Sequence, residues 1–228
     1  MKVELLYFAS IREMIGKSSE TITCSESSSL DDLKGLILER YPSVSGIIDH
    51  ARWAVNEDFK DLDFVLSDGD RIAMIMPVSG GSEPEIGPPE ILIAELTHDT
   101  INPQELINRV SDPRCGAVCL FLGTVREFTG SQQTNELIYE AYPEMALSQL
   151  RKILSDACQK WPIPRLGVIH RLGKLGLGET SIAVAVSTPH RVASFEACLW
   201  IMDTIKQDVP IWKKEHFSNG TTQWVHPG

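Results

Sequence analysis

The sequence of 228 residues has no uninterrupted run of about 18 apolar residues, the length that a helix needs to cross a bilayer. Its first residues, MKVELLYFASIRE, place Glu4 and Arg12 around a short apolar core and offer no small-residue cleavage site, so no secretory leader is predicted. We therefore expect a cytoplasmic protein that makes no membrane contact.

Cysteine is scarce and irregularly spaced. The chain has five cysteines, an odd number, and none of them form a CxxC pair. A disulfide framework or a structural zinc site needs cysteines at regular spacing, so free buried thiols are expected instead. The six histidines also lack ligand spacing, and the sequence predicts no metal site.

Positive charge is in deficit, and the deficit is uneven. The chain carries 21 Lys and Arg against 31 Asp and Glu, a net charge of −10. Residues 1–81 hold 8 basic and 14 acidic side chains, whereas residues 91–228 hold 13 and 14. Binding to nucleic acid irrespective of sequence depends on neutralising phosphates, so a nucleic-acid partner is not expected. The basic residues of 91–228 are therefore of interest as local clusters and not as a source of overall positive charge.

The first 81 residues alternate between strand and helix signals. Residues 2–8 (KVELLYF) show the period of a half-buried strand. Ser29 with Asp32 three residues later has the spacing of a capping box, which opens a helix through Arg40. The other predicted elements are a short helix over 10–15 and strands over 53–56 and 71–76. Together these elements indicate a compact α+β unit.

Residues 82–90 (SEPEIGPPE) form the predicted linker. Three prolines, three glutamates and one glycine cannot bury enough apolar area to order this stretch. The pair Gly80-Gly81 directly precedes it and has the form of a reactive C-terminal tail, although the chain continues. The sequence thus predicts two domains, 1–81 and 91–228.

The second part also mixes strands and helices. Strands are predicted over 91–96, 116–125, 136–142, 165–172, 180–188, 211–217 and 222–227, and helices from Asn102-Pro103, over 143–160 and over 191–209. The glycine-rich stretch 173–179 (GKLGLGE) lacks the GxxxxGK[ST] order of a phosphate loop and lies between two strands. We interpret it as a hairpin connection within a second α+β domain.

A lysine continues an apolar stripe on the last long helix. Phe195, Leu199 and Met202 follow helical spacing, and the next step of four residues reaches Lys206. One interpretation is that the stem runs along the core edge while the ammonium stays in solvent. The other is that partial desolvation makes the amine a base, acid or nucleophile near neutral pH. The dipole at the helix C-terminus opposes the second interpretation.

Other cations occupy positions that favour anions. His190 and Arg191 begin the same helix, where free backbone N–H groups and a guanidinium attract negative charge. Lys213 and Lys214 are neighbours on a predicted strand, so they face opposite sides and one of them can enter a pocket. Arg126 ends an apolar run. Their convergence on a phosphate-bearing small molecule is a hypothesis that spacing alone does not decide.

These stretches resemble the two subunits of molybdopterin synthase. Residues 1–81, with LLYFASIRE, LSDGDRIAMIMPVSGG and the final Gly80-Gly81, are similar to the small, ubiquitin-like subunit. Residues 91–228 are similar to the large subunit in GAVCLFLGTVRE, YEAYPEMA, WPIPRLGVIHRLGKLGLGE and STPHRVASFEACLWIMDTIKQDVPIWKKE. The resemblance implies an α+β chain, with an N-terminal β-grasp domain followed by an α/β hammerhead domain.

The resemblance also implies an activity and a set of residues. It implies a sulfurtransferase of molybdenum cofactor biosynthesis, which inserts two sulfurs into cyclic pyranopterin monophosphate and forms the dithiolene of molybdopterin. Gly81 corresponds to the glycine that carries the sulfur as a thiocarboxylate, and the enzyme itself binds no cofactor. The implied partners are an ATP-dependent adenylating and sulfurylating enzyme and a second copy, bound through the C-terminal domain. The implied pocket residues are Thr124, Val125, Arg126, His190, Arg191, Lys206, Lys213, Lys214 and Glu215, of which Lys206 and His190 join Gly81 in catalysis.

One feature departs from the family pattern. Gly81 is in peptide linkage to Ser82, whereas a thiocarboxylate needs a free carboxyl group. Cleavage after Gly81 resolves the conflict. The alternative is an uncleaved, non-catalytic fusion that binds the pterin or regulates its use. A third hypothesis, a sulfur carrier for thiamine synthesis or tRNA thiolation, leaves the large-subunit motifs without a purpose.

Overall fold

The computed structural model describes residues 1–76 and 87–225. Its contacts divide the chain into two compact units, Met1–Gly80 and Gly81–Gly228. Gly81 and most of the predicted linker lie outside the described residues, so the domain bounds 1–81, 82–90 and 91–228 stay a prediction. None of the helices in the described parts is long and apolar enough to cross a membrane.

The first unit is built on one mixed sheet. Its strands are β1 (Lys2–Tyr7), β2 (Ser19–Thr23), β3 (Arg52–Val55), β4 (Asp58–Lys60) and β5 (Arg71–Ile75), and its helices are α1 (Ala9–Ile15), α2 (Leu30–Arg40), α3 (Ser45–Ile48) and a 3₁₀ turn (Pro42–Val44). The strand order is β2-β1-β5-β3-β4, with β1 and β5 parallel at the centre. A mixed sheet with one main helix confirms the predicted β-grasp fold.

Local signals place the main helix of this unit. The Ser29 hydroxyl accepts from the Asp32 N–H at 3.2 Å, and the Asp32 carboxylate accepts from the Ser29 N–H at 2.8 Å, so the predicted capping box is present. Buried positions alternate along β1, where Val3, Leu5 and Tyr7 point to the core. The apolar face of α2 packs into the same core.

The second unit contains two sheets. Its strands are β6 (Ile91–Thr97), β7 (Ala117–Thr124), β8 (Phe128–Thr129), β9 (Gln132–Ala141), β10 (Arg165–Arg171), β11 (Gly173–Gly176), β12 (Thr180–Thr188), β13 (Ile211–Phe217) and β14 (Thr222–Val225), and its helices are α4 (Pro103–Val110), α5 (Pro143–Lys160) and α6 (Arg191–Asp208). The first sheet has the order β6-β10-β12-β7, and the second has the order β11-β9-β13-β14, with β8 paired to β9. This architecture confirms the predicted second α+β domain.

Helices cover both faces of the first sheet. On β12, Ala183 and Ala185 pack with α4, whereas Ile182, Val184 and Val186 pack with α5 and α6. A strand buried on both faces is apolar at consecutive positions, which explains the unbroken run IAVAV. The sequence interpretation of 173–179 was partly wrong, because Gly173–Gly176 forms β11 and pairs with β9 instead of only joining two strands.

Candidate active site

The end of β7 places three of the predicted pocket residues. Thr124 and Arg126 are exposed, whereas Val125 is buried in a small cluster with Leu137 and Leu175. The Val125 N–H donates to the Glu179 carbonyl at 3.0 Å, and the Val125 carbonyl accepts from the Gly178 N–H at 2.9 Å. These bonds fix the backbone from which the Arg126 side chain projects into solvent.

A second set of contacts holds that turn. The Arg171 guanidinium donates to the Glu179 carboxylate at 3.0 Å, and the Gly176 N–H donates to the same carboxylate at 2.6 Å. The hydrogen bond from Gly176 is the larger cause that lowers the pKa of Glu179, and the bond from Arg171 is the second. The carboxylate therefore stays charged. Sequence reasoning did not single out Arg171 or Glu179. Their role is visible only in the structure, where the Glu179 carbonyl accepts from the Val125 N–H and Arg171 holds the Glu179 carboxylate.

The start of α6 carries His190 and Arg191. His190 is the N-cap, with extended backbone, and Arg191 is the first helical residue and is exposed. Upstream, the Gly116 N–H donates to the Pro189 carbonyl at 3.2 Å. A Cβ atom on residue 116 would lie 2.8 Å from that carbonyl oxygen, so the close approach requires glycine.

The structure separates these two groups within one chain. Thr180 pairs with Thr124 at one end of the β12–β7 ladder, and Thr188 pairs with Ala117 at the other end. At about 3.3 Å per residue, the ends of this ladder are roughly 23 Å apart. Thr124–Arg126 therefore lie at one edge of the sheet and His190–Arg191 at the opposite edge.

The structure corrects the predicted stripe on α6. Phe195 and Leu199 are 63% and 64% exposed, and Lys206 is exposed too. Of the predicted apolar stripe, only Met202 is buried. The residues that face the core are Ser194, Ala197, Cys198, Ile201, Met202 and Ile205. The interpretation that relies on desolvation of the Lys206 amine is therefore not supported in a single chain.

The strand β13 puts its two lysines on opposite faces, as its period predicts. The Lys213 ammonium lies 2.8 Å from Oε1 of Glu215, whose side chain is only 2% exposed. Oε2 of Glu215 is buried and has no hydrogen-bond partner within the described residues. The Lys214 ammonium lies on the other face, 5.6 Å from the centre of the Trp224 ring. Lys213 is thus held by a buried carboxylate, while Lys214 lies beside an aromatic surface.

An ion cluster fixes the start of the second unit. The buried Asp112 carboxylate accepts from the Arg114 side chain at 2.9 and 2.7 Å and lies 3.1 Å from the Arg165 guanidinium. The Glu90 carboxylate bridges Arg114 and Arg165 at 2.6 and 3.2 Å. Hydrogen bonds from Arg114 and the charge of Arg165 hold the pKa of Asp112 well below its usual range. Glu90, the residue directly before β6, is thus held in place by Arg114 and Arg165.

No group of three or more His, Cys, Asp and Glu side chains able to hold a metal ion occurs within residues 1–76 and 87–225. Gly81 lies outside the described residues, so its position relative to the cations above is not described.

Comparisons with known proteins address each half of the chain. Residues 96–208 match the family model described as MoaE protein, and residues 5–81 match the ThiS family. The molybdopterin synthase catalytic subunit of Thermoplasma volcanium is 45% identical over 130 residues, which cover 57% of this chain and 95% of that protein. The human molybdopterin synthase catalytic subunit is 43% identical, over 57% of this chain and 69% of that protein.

A solved structure supports the fold of the second unit. The crystal structure of molybdopterin synthase from Staphylococcus aureus superposes with a TM-score of 0.54 at 34% identity, over 60% of this chain and 95% of that chain. The predicted α/β hammerhead domain is thereby confirmed, and so is the fusion of a ubiquitin-like domain to it. The chain therefore belongs to the MoaE protein family of molybdopterin synthase catalytic subunits, and it carries a ThiS-family domain ahead of that part.

Proposed function

We propose that this chain is a molybdopterin synthase that transfers two sulfur atoms from a thiocarboxylate on Gly81 to cyclic pyranopterin monophosphate. One observation carries the proposal: the carrier-family match ends at Gly81, and the catalytic-family match begins at residue 96 of the same chain. A ThiS-family domain directly ahead of a MoaE domain supports a synthase that carries its own sulfur donor, and the proposal invokes no other cofactor.

Cleavage after Gly81 is part of the proposal. The carboxyl group of Gly81 is in peptide linkage to Ser82, so it has to be freed before an ATP-dependent enzyme can adenylate it and replace one oxygen by sulfur. The glycines of the tail lack Cβ atoms, which suits passage through a narrow channel.

Each transfer replaces one oxygen substituent of the pterin side chain by sulfur. A bond forms between the thiocarboxylate sulfur and a substrate carbon, and the carbon–oxygen bond there breaks, so that the displaced oxygen stays on the phosphate where the carbon carried a phosphate ester and leaves as water where it carried a carbonyl. Water then attacks the Gly81 carbonyl, its carbon–sulfur bond breaks, and a carboxylate is restored while the sulfur stays on the product. Two such transfers complete the dithiolene, so two charged carriers are used per product.

The cationic residues have different proposed roles, some in binding the substrate and some in catalysis. Arg126, Arg191 and Lys213 hold the phosphate and the pterin by charge-assisted hydrogen bonds. Lys206 acts at the reacting carbon as an acid–base group or a transient covalent group, and His190 assists proton transfer. Thr124, Val125, Lys214 and Glu215 complete the pocket. The contact of Lys213 with buried Glu215 supports its role, because a fixed ammonium offers a defined site for an anion.

A homodimer through the second unit completes this site. The groups at the two ends of the β12–β7 ladder are too far apart to contact one small substrate from a single chain. The strand β7 is an edge strand that leaves Val118, Phe121 and Leu122 exposed. Two copies aligned antiparallel along β7 would place the Ala117 end of one beside the Thr124 end of the other, covering an apolar edge and joining the two groups.

Sedimentation velocity tests the dimer. Phe121→Asp introduces a charge at the centre of β7, so we expect a monomer that has lost sulfur transfer. Leu36→Asp, at a similarly exposed apolar position in the first unit, is the matched control and should stay dimeric. A Phe121→Asp protein that sediments as the unsubstituted dimer contradicts the arrangement along β7.

Intact mass spectrometry of the protein from its native host tests the sulfur chemistry. The expected result is two fragments separated after Gly81, the smaller one heavier by the exchange of oxygen for sulfur. A single 25.4 kDa species in cells that make the cofactor would instead favour the alternative, an uncleaved fusion that binds or regulates the pterin without chemistry.

A further inference from the structure

Tyr139 is a half-buried aromatic residue of β9 that is paired with strands on both sides. In the ladder between β9 and β13 it is directly opposite Lys213, and on its other side it pairs with Gly173 of β11. Directly opposite residues of an antiparallel pair share one face of the sheet, with their Cβ atoms about 4.5–5.5 Å apart. Of the two partners only Lys213 has a side chain, so its stem is the cross-strand neighbour of the Tyr139 ring.

A residue of the first sheet holds the Tyr139 ring. The buried His170 of β10 meets it edge-on, with the ring centres 5.1 Å apart and the ring planes at 69°. Such an edge-to-face pair is favourable and directional. The His170 ring is fixed in turn, because its Nδ1 lies 2.9 Å from the Arg171 carbonyl oxygen. The contact between Tyr139 and His170 thus joins the sheet that carries Lys213 to the first sheet of the same unit.

Tyr139 also packs on the cluster that lies under Arg126. Val125, Leu137 and Leu175 form this cluster, and Tyr139 is the partly buried residue packed against it. Val125 directly precedes Arg126, so the packing that holds Val125 also sets the backbone from which the Arg126 side chain leaves. One aromatic ring therefore contacts the supports of two cations, Arg126 and Lys213.

The Lys213 side chain is held at both its end and its stem. Its ammonium lies 2.8 Å from Oε1 of Glu215, and the side chain is only 28% exposed. Glu215 is two residues further along β13 and faces the same side of the sheet. The carboxylate fixes the end of the lysine, and the Tyr139 ring limits the sideways freedom of the stem. Lys214 lies on the other face, and elsewhere on the sheet a cleft of about 200 Å³ is lined by Glu140, Trp212, Trp224 and Val225.

We propose that Tyr139 is a positioning residue, which sets the distance between Arg126 and Lys213 and keeps the Lys213 ammonium oriented for an anion. Tyr139 does not touch the substrate in this arrangement and acts through the two cations. Cations that are already ordered lose less conformational freedom when an anion binds, so the ring improves binding and not the chemical step. The identity of the anion, the substrate of sulfur transfer, rests on the proposed function.

The ring of Tyr139, and not its hydroxyl group, makes these contacts. None of the side-chain hydrogen bonds found within residues 1–76 and 87–225 involves the Tyr139 hydroxyl. Tyr139→Phe therefore keeps the edge contact with His170 and the packing on Val125. Tyr139→Leu keeps apolar volume next to Val125 and loses the edge contact. The two variants separate the aromatic ring from mere filling of space.

The rate of sulfur transfer, measured against substrate concentration with Gly81 fully charged, tests the positioning. We expect Tyr139→Leu to raise the half-saturating substrate concentration about tenfold, the effect of weakening one hydrogen bond to a charged group. The maximal rate should change by less than about twofold, because the chemical step is not affected. Tyr139→Phe should restore the half-saturating concentration. Tyr142→Leu, at a tyrosine that is 55% exposed, is the matched control and should change neither quantity.

Chemical labelling of Lys213 gives a measurement that does not depend on sulfur transfer. The full-length protein is treated with limiting acetic anhydride, and mass spectrometry gives the ratio of acetylation at Lys213 to that at Lys152, an exposed lysine of α5. We expect Tyr139→Leu to raise this ratio severalfold, because the stem is released, and Tyr139→Phe to leave it unchanged. Should Tyr139→Leu fail to fold by circular dichroism, Tyr139→Met takes its place.

The outcomes separate this inference from the proposed function. Sulfur transfer with an unchanged half-saturating concentration and unchanged Lys213 labelling in Tyr139→Leu would keep the synthase and overturn the role of Tyr139. A Tyr139→Phe protein as impaired as Tyr139→Leu would overturn it too, because the hydroxyl group would then be the part that matters. Released Lys213 labelling in a protein without any sulfur transfer would leave Lys213 positioned by Tyr139 and remove the synthase.

Discussion

His170 makes the stability of the second unit depend on pH. Its ring is buried on β10, with Nδ1 2.9 Å from the Arg171 carbonyl oxygen and its centre 5.1 Å from the Tyr139 ring. Burial lowers the pKa of His170 from 6.5 to about 4, and the hydrogen bond to Arg171 opposes this only in part. The folded state therefore holds a neutral imidazole that the unfolded chain would protonate at pH 6.

The direction and the size of this pH effect follow from the linkage between folding and proton binding at His170. Between pH 6.5 and 4 the unfolded state binds more protons at this site than the folded state, so stability falls as the pH falls. Two-state proton linkage with these pKa values removes about 2 kcal/mol by pH 5 and about 3 kcal/mol below pH 4. Above pH 7.5 the same group contributes almost nothing to the pH dependence.

Urea unfolding at a series of pH values measures this loss. A Trp53→Phe background removes the tryptophan of the first unit, so the remaining four tryptophans report on the second unit. In that background, His170→Gln replaces the imidazole by a neutral polar group that does not titrate. We expect the free energy of unfolding of the His170 protein to fall between pH 7 and 4 by about 3 kcal/mol more than that of His170→Gln.

A constant difference between the two proteins across this pH range would refute the reasoning. It would mean that His170 has the same pKa in the folded and unfolded states, which requires solvent to reach the ring. His216→Gln, at a half-buried histidine on β13, provides the comparison for a nonspecific effect of removing an imidazole.

Three further perturbations test other parts of the structure. Gly116→Ala puts a Cβ atom 2.8 Å from the Pro189 carbonyl oxygen, so we expect a lower Tm by circular dichroism. We also expect the sulfur-transfer rate to fall by more than the loss of folded protein explains. An unchanged Tm would contradict the close approach of Gly116 to Pro189. Asp112→Asn removes the negative charge that Arg114 and Arg165 contact. Because the pKa of Asp112 is lowered in the folded state, its stabilising effect is present near pH 7 and is lost as the pH falls below about 3.9. The difference in Tm between the unsubstituted protein and Asp112→Asn should therefore shrink in acid. Lys206→Ala, at an exposed site, should keep its Tm and lose sulfur transfer, whereas Lys152→Ala on α5 should keep both; a fully active Lys206→Ala protein removes this lysine from the mechanism.

Much of the secondary structure was predictable because its signals are local. The capping box at Ser29 and Asp32 begins α2, and proline in the first turn begins α4 and α5, all as predicted. The strand β2 (SETIT) was not predicted, because its polar residues give little alternation and it exists by pairing with β1. The glycine-rich β11 was misjudged for the same reason, since its partner β9 lies more than 30 residues upstream.

The candidate site was predictable in its residue types and less so in its geometry. The period of a strand sufficed to place Lys213 and Lys214 on opposite faces of β13. The helical period, by contrast, identified an apolar stripe on α6 without showing which stripe meets the sheet, and the structure turned Phe195 and Leu199 outward. Glu140 and Trp224 could not be associated from the sequence, because they line the same cleft only once β14 pairs with β13 and β13 pairs with β9.

The sequence by itself determined the family of each half, the order of the halves, and the presence of Gly80-Gly81 ahead of an acidic, proline-rich stretch, because these are properties of consecutive residues. Only the tertiary structure decided that Thr124–Arg126 and His190–Arg191 lie at opposite ends of one ladder, and that Trp212 and Trp224 share a cleft. The reason is physical: the register of antiparallel pairing is set by packing across the whole sheet, so the separation of two residues along the chain does not give their distance in space.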